Sequence, residues 1–215
     1  MAAPYSLIVF DFDGTLVDTL DDIAYHANKV LSDFGYPVQP LKSVRAGIGW
    51  GVHELLKSLA PGFGDDEKKL EKAVLQFKEA YRSEPVLQTS PFSNVKEVLS
   101  GSLSKVKKAV VTNKPQDITI QILDKLDLSK YFEMVVGMHA GFPAKPDPAA
   151  LNHVMEKMGF GQDKTIYVGD SHVDGEVSLA AGVDFAWVNY GYHAPKRIIP
   201  TYEFSDAREW EDLVR

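Results

Sequence analysis

The sequence predicts a doubly wound α/β fold, a parallel sheet with helices on both faces, carrying a smaller helical unit inserted after the first strand. Three observations predict it. Apolar, β-branched-rich runs each stop at polar residues: SLIVF at Asp11, KKAVVT at Thr112 and Asn113, and KTIYVG at Gly169 and Asp170. These runs are continuous rather than alternating, as in strands buried on both faces. Helical patterns separate them at intervals of about 20 to 35 residues, the rhythm of βαβ units. The third observation is a break in that rhythm, because residues 18–87 show helical periodicity and no convincing strand.

Taken in order, SLIVF forms the first strand and DGT turns the chain, since Gly14 can take a positive φ. LDDIAYHANKVLSDFG, GVHELLKSLA and DDEKKLEKAVLQFKEAYRS follow as helices, the last opened by Asp65 and Asp66, good first-turn residues. Between them AGIGWGV and APGFGDD read as loops because of their glycines and proline. The remaining elements alternate. NVKEVLSGSL, QDITIQILDKLDL, DPAALNHVMEKMG and SHVDGEVSLAAGV are helices; KKAVVT, residues 132–138 (FEMVVGM), KTIYVG and residues 184–190 (DFAWVNY) are strands. The expected division is a core domain of residues 1–17 and 88–215 and an inserted helical domain of residues 18–87. No internal repeat is present.

The 215 residues are 45% hydrophobic and 25% charged, an ordinary globular composition without low-complexity tracts. A net charge of -7 disfavours attraction to nucleic acid or anionic membranes, so the expected partner is a small molecule. With no cysteine there is neither a disulfide framework nor a thiolate metal site. MAAPYSLIVF has no basic start and its apolar run ends at Asp11, so no signal peptide is expected; nor does any window reach the roughly 18 apolar residues of a membrane span. The cytoplasm is the expected location.

Open parallel sheets bind ligands beyond the carboxyl ends of their strands, so Asp11, Asp13, Thr112, Asn113 and Asp170 should converge. Paired carboxylates at a turn can divide two tasks, one attacking an electrophile and the other moving a proton. Carboxylate attack suits phosphorus, where catalysis consists of positioning and charge neutralisation. Acids cannot meet an anionic phosphate unaided, which calls for a hard, oxygen-seeking cation such as Mg²⁺; Asp11, Asp13, Asp170 and Asp174 are the candidate ligands. The Thr112 hydroxyl, the turn amides around Asn113 and Gly14, and Lys145, a cation in a proline-bounded loop just ahead of a helix, are the candidate phosphate contacts. These residues describe a Mg²⁺-assisted phosphoryl transferase or phosphatase working through an aspartyl phosphate.

DFDGTLVDT, VVTNK, KPDP and VGDSHVD together resemble, in order and spacing, the four motifs of the haloacid dehalogenase superfamily, a likeness running over residues 7–188. The helical insertion resembles the C1 cap of that superfamily on its Rossmann-like core, and the nearest subgroup is the phosphoglycolate phosphatase type. The resemblance implies Asp11 as nucleophile, Asp13 as acid and base, Thr112 and Lys145 as phosphate ligands, Asp170 as metal ligand and Asp174 as support for the metal. True dehalogenases lack the second Asp, so Asp13 points to a phosphate enzyme, with phosphoglycolate as the expected substrate. Val173 departs from the subgroup, which often has Asn there. The place of the loop GIGWG, residues 47–51, in the resembling subgroup implies that it faces the site, with Arg45 a candidate contact for a substrate carboxylate.

Other readings compete at individual positions. Thr15 could cap a helix or contribute to phosphate contacts, Asp18 could be a solvated hinge residue or a site residue, and His172 reads as a solvent-facing residue of a helix start. The six histidines have no metal-ligand spacing. β-Phosphoglucomutases share the motifs but favour Asp-Gly-Val and a His and Lys set in the cap entry, whereas this chain has Asp-Gly-Thr, with His26 displaced along its helix. A pyrophosphatase remains within the same chemistry. A receiver-type signalling module also carries a phospho-accepting Asp, but needs no cap and no second acid two residues on.

Overall fold

The computed structural model describes residues 4–215; residues 1–3, which begin the expected core domain and the N-terminal stretch read above, lie outside the described residues. The strands are β1 (Leu7–Phe10), β2 (Val17–Asp18), β3 (Ser90–Pro91), β4 (Lys107–Pro115), β5 (Met134–Met138), β6 (Thr165–Gly169), β7 (Asp184–Val188) and β8 (Tyr202–Phe204). The helices are α1 (Leu20–Asp33), α2 (Leu41–Gly47), α3 (Val52–Leu59), α4 (Glu67–Ser83), α5 (Val95–Ser100), α6 (Gln116–Lys125), α7 (Ala149–Met158) and α8 (His172–Ala181). Six strands form one parallel sheet in the order β5-β4-β1-β6-β7-β8, as the fold class requires.

β1 is central because it is apolar on both sides. Ile8 and Phe10 join a core with Ile166, Val168 and Trp210, while Leu7 and Val9 join a second core with Val111, Leu151 and Tyr167 on the other face. All four β1 side chains are fully buried, a gross gain of about 2 kcal/mol each. β4 and β6 flank β1 in parallel, pairing Leu7 with Lys107 and with Thr165, so the three strands end on one edge. The Asp11 amide continues the ladder by donating to Val168 O at 2.9 Å, which sets that residue beside the end of β6.

α1 to α4 supply the helical segment. α4 shows why it is helical: Leu70, Ala73, Phe77 and Tyr81 are its buried stripe, and Asp66 caps it by accepting from the Lys69 amide at 3.0 Å. α2 was not anticipated from the sequence, where its last residues read as a loop. Its only buried side chain is Val44, so there is no apolar stripe to read. β2 and β3, of two residues each, and the three-residue edge strand β8 are likewise too short to carry a period. β5 and β7 are shorter than the apolar runs that announce them, starting at Met134 and ending at Val188. Among the described residues no helix is long and apolar enough to cross a membrane.

The chain enters and leaves the helical segment side by side. Val17 pairs with Pro91 and Asp18 with Ser90 in the antiparallel β2–β3 ribbon. Just inside α1, the buried Asp22 carboxylate accepts from the amides of Leu87, Gln88 and Thr89 at 2.9, 2.8 and 3.0 Å and from the Thr89 hydroxyl at 2.6 Å. Burial pushes this carboxyl up, but the Thr89 hydroxyl and the three amides outweigh it and hold it below the ordinary carboxylate range. A group so depressed stabilises the fold above its unfolded value, about 3.9, and that stability is lost as pH falls through the folded value. Asp22→Asn should therefore cost about 2 kcal/mol in urea unfolding at pH 7, because an amide nitrogen replaces one accepting oxygen. The deficit should shrink below pH 4; a deficit that stays constant down to pH 3 would show that the charge of Asp22 is not what holds the two crossings.

Candidate active site

The site begins where β1 stops. Phe10 is the last strand residue, and the chain then turns so tightly that the Gly14 amide donates to Val17 O at 3.0 Å. Gly14 has φ +81°, and a Cβ there would lie 2.5 Å from Asp170 Oδ2, so glycine is needed for both conformation and space. The Asp170 carboxylate lies against this turn, accepts the Tyr192 amide at 2.7 Å on Oδ2, and has the Thr15 hydroxyl 3.5 Å from Oδ1. Thr15 thus faces the site, and the N-cap position of α1 belongs to Thr19.

Asp174 enters from the first turn of α8. It forms a capping box with Ser171, accepting the Ser171 amide at 2.9 Å and hydroxyl at 2.7 Å on Oδ2. Its Oδ1 accepts from Lys145 Nζ at 2.7 Å. Lys145 is buried, donates to the Tyr167 hydroxyl at 2.9 Å, and lies 2.9 Å from Asp11 Oδ1. That last contact is an ion pair, and apart from it the buried Asp11 Oδ1 has no partner.

One carboxylate oxygen each of Asp11, Asp170 and Asp174 lies within 4.8 Å of the others, all three residues buried. Burial pushes the Asp11 carboxyl up to about 6, Asp174 adding to the effect while Lys145 and Thr112 oppose it. Asp170 is pushed well above the carboxylate range by burial and by its neighbours Asp174 and Asp11. Three carboxylates thus share one ammonium, and the arrangement lacks positive charge. The all-oxygen donor set and the orphaned Asp11 oxygen fit a hard divalent cation.

The carboxylate of Asp13 is not in that group. It accepts from the Thr19 hydroxyl at 2.6 Å and from Lys114 Nζ at 3.1 and 3.3 Å. Of the expected metal set, the structure therefore brings together three side chains and leaves out the fourth, because the turn at Gly14 carries Asp13 toward β4. Thr112 is buried beside Asp11, its hydroxyl favouring the charged form of that carboxyl. The Asn113 side chain is fully engaged: it donates to Gly49 O at 2.9 Å and Lys145 O at 3.0 Å and accepts the Lys145 amide at 2.7 Å. It shapes the loop that holds Lys145 and has no side-chain amide to spare for a phosphate.

Above these residues lies a solvent-connected cleft. Strand ends form its floor, and Ile23, Leu55, Phe77 and Tyr81 from the helical segment form an apolar wall. Gly49 and Gly51 line it, so the loop of residues 47–51 faces the site. Arg45 does not line it; its guanidinium sits 5.5 Å over the Tyr192 ring. Trp50 packs 5.6 Å from His172, whose Nε2 is 3.0 Å from Lys196 Nζ. His26 is buried, stacked on Tyr81 with its Nε2 3.1 Å from Glu84 O. Sequence reasoning missed Lys114, Thr19 and Tyr192. Lys114 and Thr19 stand inside the quoted motifs, whereas Tyr192 lies in a loop after β7 with no pattern to mark it.

The two roles of Gly14 can be separated. Gly14→Ala and Gly35→Ala both impose strain at positive φ, but around Gly35 a Cβ meets nothing within 4 Å. Gly35→Ala should cost about 1 kcal/mol in denaturant unfolding and Gly14→Ala roughly twice that or more. Equal costs would mean that Asp170 is not held against the turn.

Residues 8–188 match the haloacid dehalogenase-like hydrolase family. A phosphoglycolate phosphatase from Pseudomonas syringae pv. tomato is 36% identical over 97% of this chain and 77% of its own. One from Aquifex aeolicus is 34% identical over 97% and 95%. The crystal structure of a predicted phosphoglycolate phosphatase from Haemophilus somnus superposes with a TM-score of 0.87 at 28% identity, covering 94% of this chain and 95% of that one. With the sheet order, the strand-end acids and a match over most of its length, the chain belongs to the haloacid dehalogenase-like hydrolases and stands among their phosphoric monoester hydrolases.

Proposed function

We propose that the protein is a Mg²⁺-dependent phosphatase that hydrolyses 2-phosphoglycolate through a phosphoaspartate on Asp11. The observation that carries this reading is the group of Asp11, Asp170 and Asp174 around Lys145, with a second acid, Asp13, two residues from the first. The similarity to phosphoglycolate phosphatases supports the substrate. Residues 18–87 act as a cap and residues 1–17 with 88–215 as the core, a division supported by the paired crossings of β2 and β3. A net charge of -7 supports a small-molecule ester as partner rather than nucleic acid or an anionic membrane, and the cytoplasm is the proposed setting.

In this mechanism a carboxylate oxygen of Asp11 attacks phosphorus, the P–O bond to glycolate breaks, and Asp13 gives its proton to the departing oxygen. Water then attacks phosphorus, Asp13 takes its proton, and the phosphate leaves Asp11 as a carboxylate again. Asp11 and Asp170 would hold the cation, which when bound would offset the charge of the phosphate oxygens. Asp174 completes the acidic group and also fixes Lys145 and the start of α8. Lys145 sets the orientation of Asp11, and the Thr112 hydroxyl meets the phosphate.

Chelator-treated protein should lose turnover and regain it with Mg²⁺, and across an ester panel phosphoglycolate should have a higher kcat/KM than glucose 1-phosphate or pyrophosphate. Full activity without a divalent ion would exclude the metal, and preference for pyrophosphate would exclude the substrate. Asp13→Asn tests the proton path. The p-nitrophenolate group leaves without a proton, so with the aryl ester this variant should release about one phenol per enzyme in a burst and then turn over about 10² to 10⁴ times more slowly than wild type. No burst, with equal losses on the aryl and alkyl esters, would restrict Asp13 to a structural part.

A further inference from the structure

Lys114 is a buried cation that the proposed mechanism does not use. Its side chain is 4% exposed, yet Nζ lies beside the cleft rather than in the core. It donates to both oxygens of Asp13, at 3.1 and 3.3 Å, and to the Tyr81 hydroxyl at 3.1 Å, and it sits 4.4 Å over the centre of the Tyr81 ring. Among the described residues lining the cleft it is the only lysine or arginine. The other basic group there, His193, has Nε2 3.0 Å from Ile48 O, and burial pushes its ring toward the neutral form. Lys145 belongs to the opposite charge cluster, held among Asp11, Asp174 and Tyr167. The rest of the lining is apolar, acidic or neutral polar, the last being Tyr81, Thr112, Asn113 and Ser171, so Lys114 is the one fixed positive charge there that could meet a second anionic group of a substrate. A buried ammonium without an anion is costly, which explains why Asp13 occupies it in this structure.

We propose that Lys114 is a specificity-determining residue, the receptor for the carboxylate at the far end of the substrate; this rests on the phosphoglycolate reading above. The carboxylate takes the place of Asp13 as the partner of Lys114, and Asp13 is released from its ion pair beside the ester oxygen. Tyr81, on α4, stays with the ammonium and keeps it aimed into the cleft. An ester without an anionic tail leaves Lys114 paired with Asp13. Discrimination therefore shows in kcat as well as in KM, since the same ammonium governs both binding and the freedom of Asp13.

The test compares phosphoglycolate with 2-hydroxyethyl phosphate, which has a hydroxymethyl group in place of the carboxylate. Wild-type enzyme with Mg²⁺ should favour phosphoglycolate in kcat/KM on the order of 10²-fold or more, because a site built for a charged group rejects the analogue lacking it. Lys114→Met and Lys114→Gln should reduce that ratio to within a few-fold of unity, and Lys114→Arg should restore part of it. Retention of the wild-type ratio in a folded Lys114→Met or Lys114→Gln protein would overturn the assignment and leave Lys114 as a partner of Asp13 alone. Should neither variant fold, a crystal structure of wild-type enzyme with Mg²⁺ and 3-phosphonopropionate decides: the carboxylate lies about 3 Å from Lys114 Nζ, or the assignment fails. Wild-type enzyme that cleaves 2-hydroxyethyl phosphate but not phosphoglycolate would instead overturn the substrate reading itself, and the carboxylate receptor with it.

Discussion

The burial of three carboxylates around one lysine is the constraint on which the rest of this structure depends. Isolated charges of this kind are expelled from protein interiors or neutralised, and they persist only where geometry and hydrogen bonds compensate them. Lys145 supplies most of the compensation. It joins Asp11 after β1 and Asp174 at the start of α8, and through the Tyr167 hydroxyl, which donates to Val111 O at 2.5 Å, it reaches β6 and β4. One ammonium thus crosslinks the ends of three neighbouring strands. The parallel sheet is what brings these groups to a single edge, and the remaining negative charge suits that edge to a hard divalent cation.

The fold class was legible because β1, β4 and β6 are buried on both faces, which writes them as continuous apolar runs, and because each run stops abruptly at a polar residue. The grouping of Asp11, Asp170 and Asp174 was legible for the same reason: strand ends converge whatever the intervening helices do. Position along the chain cannot show where a side chain turns after its strand has ended. Asp13 was therefore placed with the metal set, although the Gly14 turn gives it to Lys114 and Thr19. Asn113 was placed among the phosphate contacts for its backbone position, and its side chain proved to be a brace between two loops. Asp22 and Tyr192 were invisible because their partners are 65 to 67 and 173 to 174 residues away in sequence. α2 left no trace because one buried side chain makes no stripe.

Several of these unread contacts join the helical segment to the strand ends. Asn113 holds Gly49 O, His193 holds Ile48 O, the Tyr192 hydroxyl meets the Thr19 amide at 2.7 Å and donates to Asp18 at 2.8 Å, and Lys114 meets Tyr81. They are few, polar and placed around the rim of the cleft, whereas the interior of the segment is apolar.

The central claim is that the carboxylate of Asp11 becomes covalently bound to phosphorus. An acyl phosphate is reduced by borohydride to an alcohol, whereas a free carboxylate is not. Enzyme quenched during turnover of phosphoglycolate with Mg²⁺, treated with borohydride and digested should yield homoserine at position 11 in the peptide containing DFDGT, with Asp13 unchanged. Unmodified Asp11 under conditions where turnover is demonstrated, or reduction at Asp13 instead, would contradict the account.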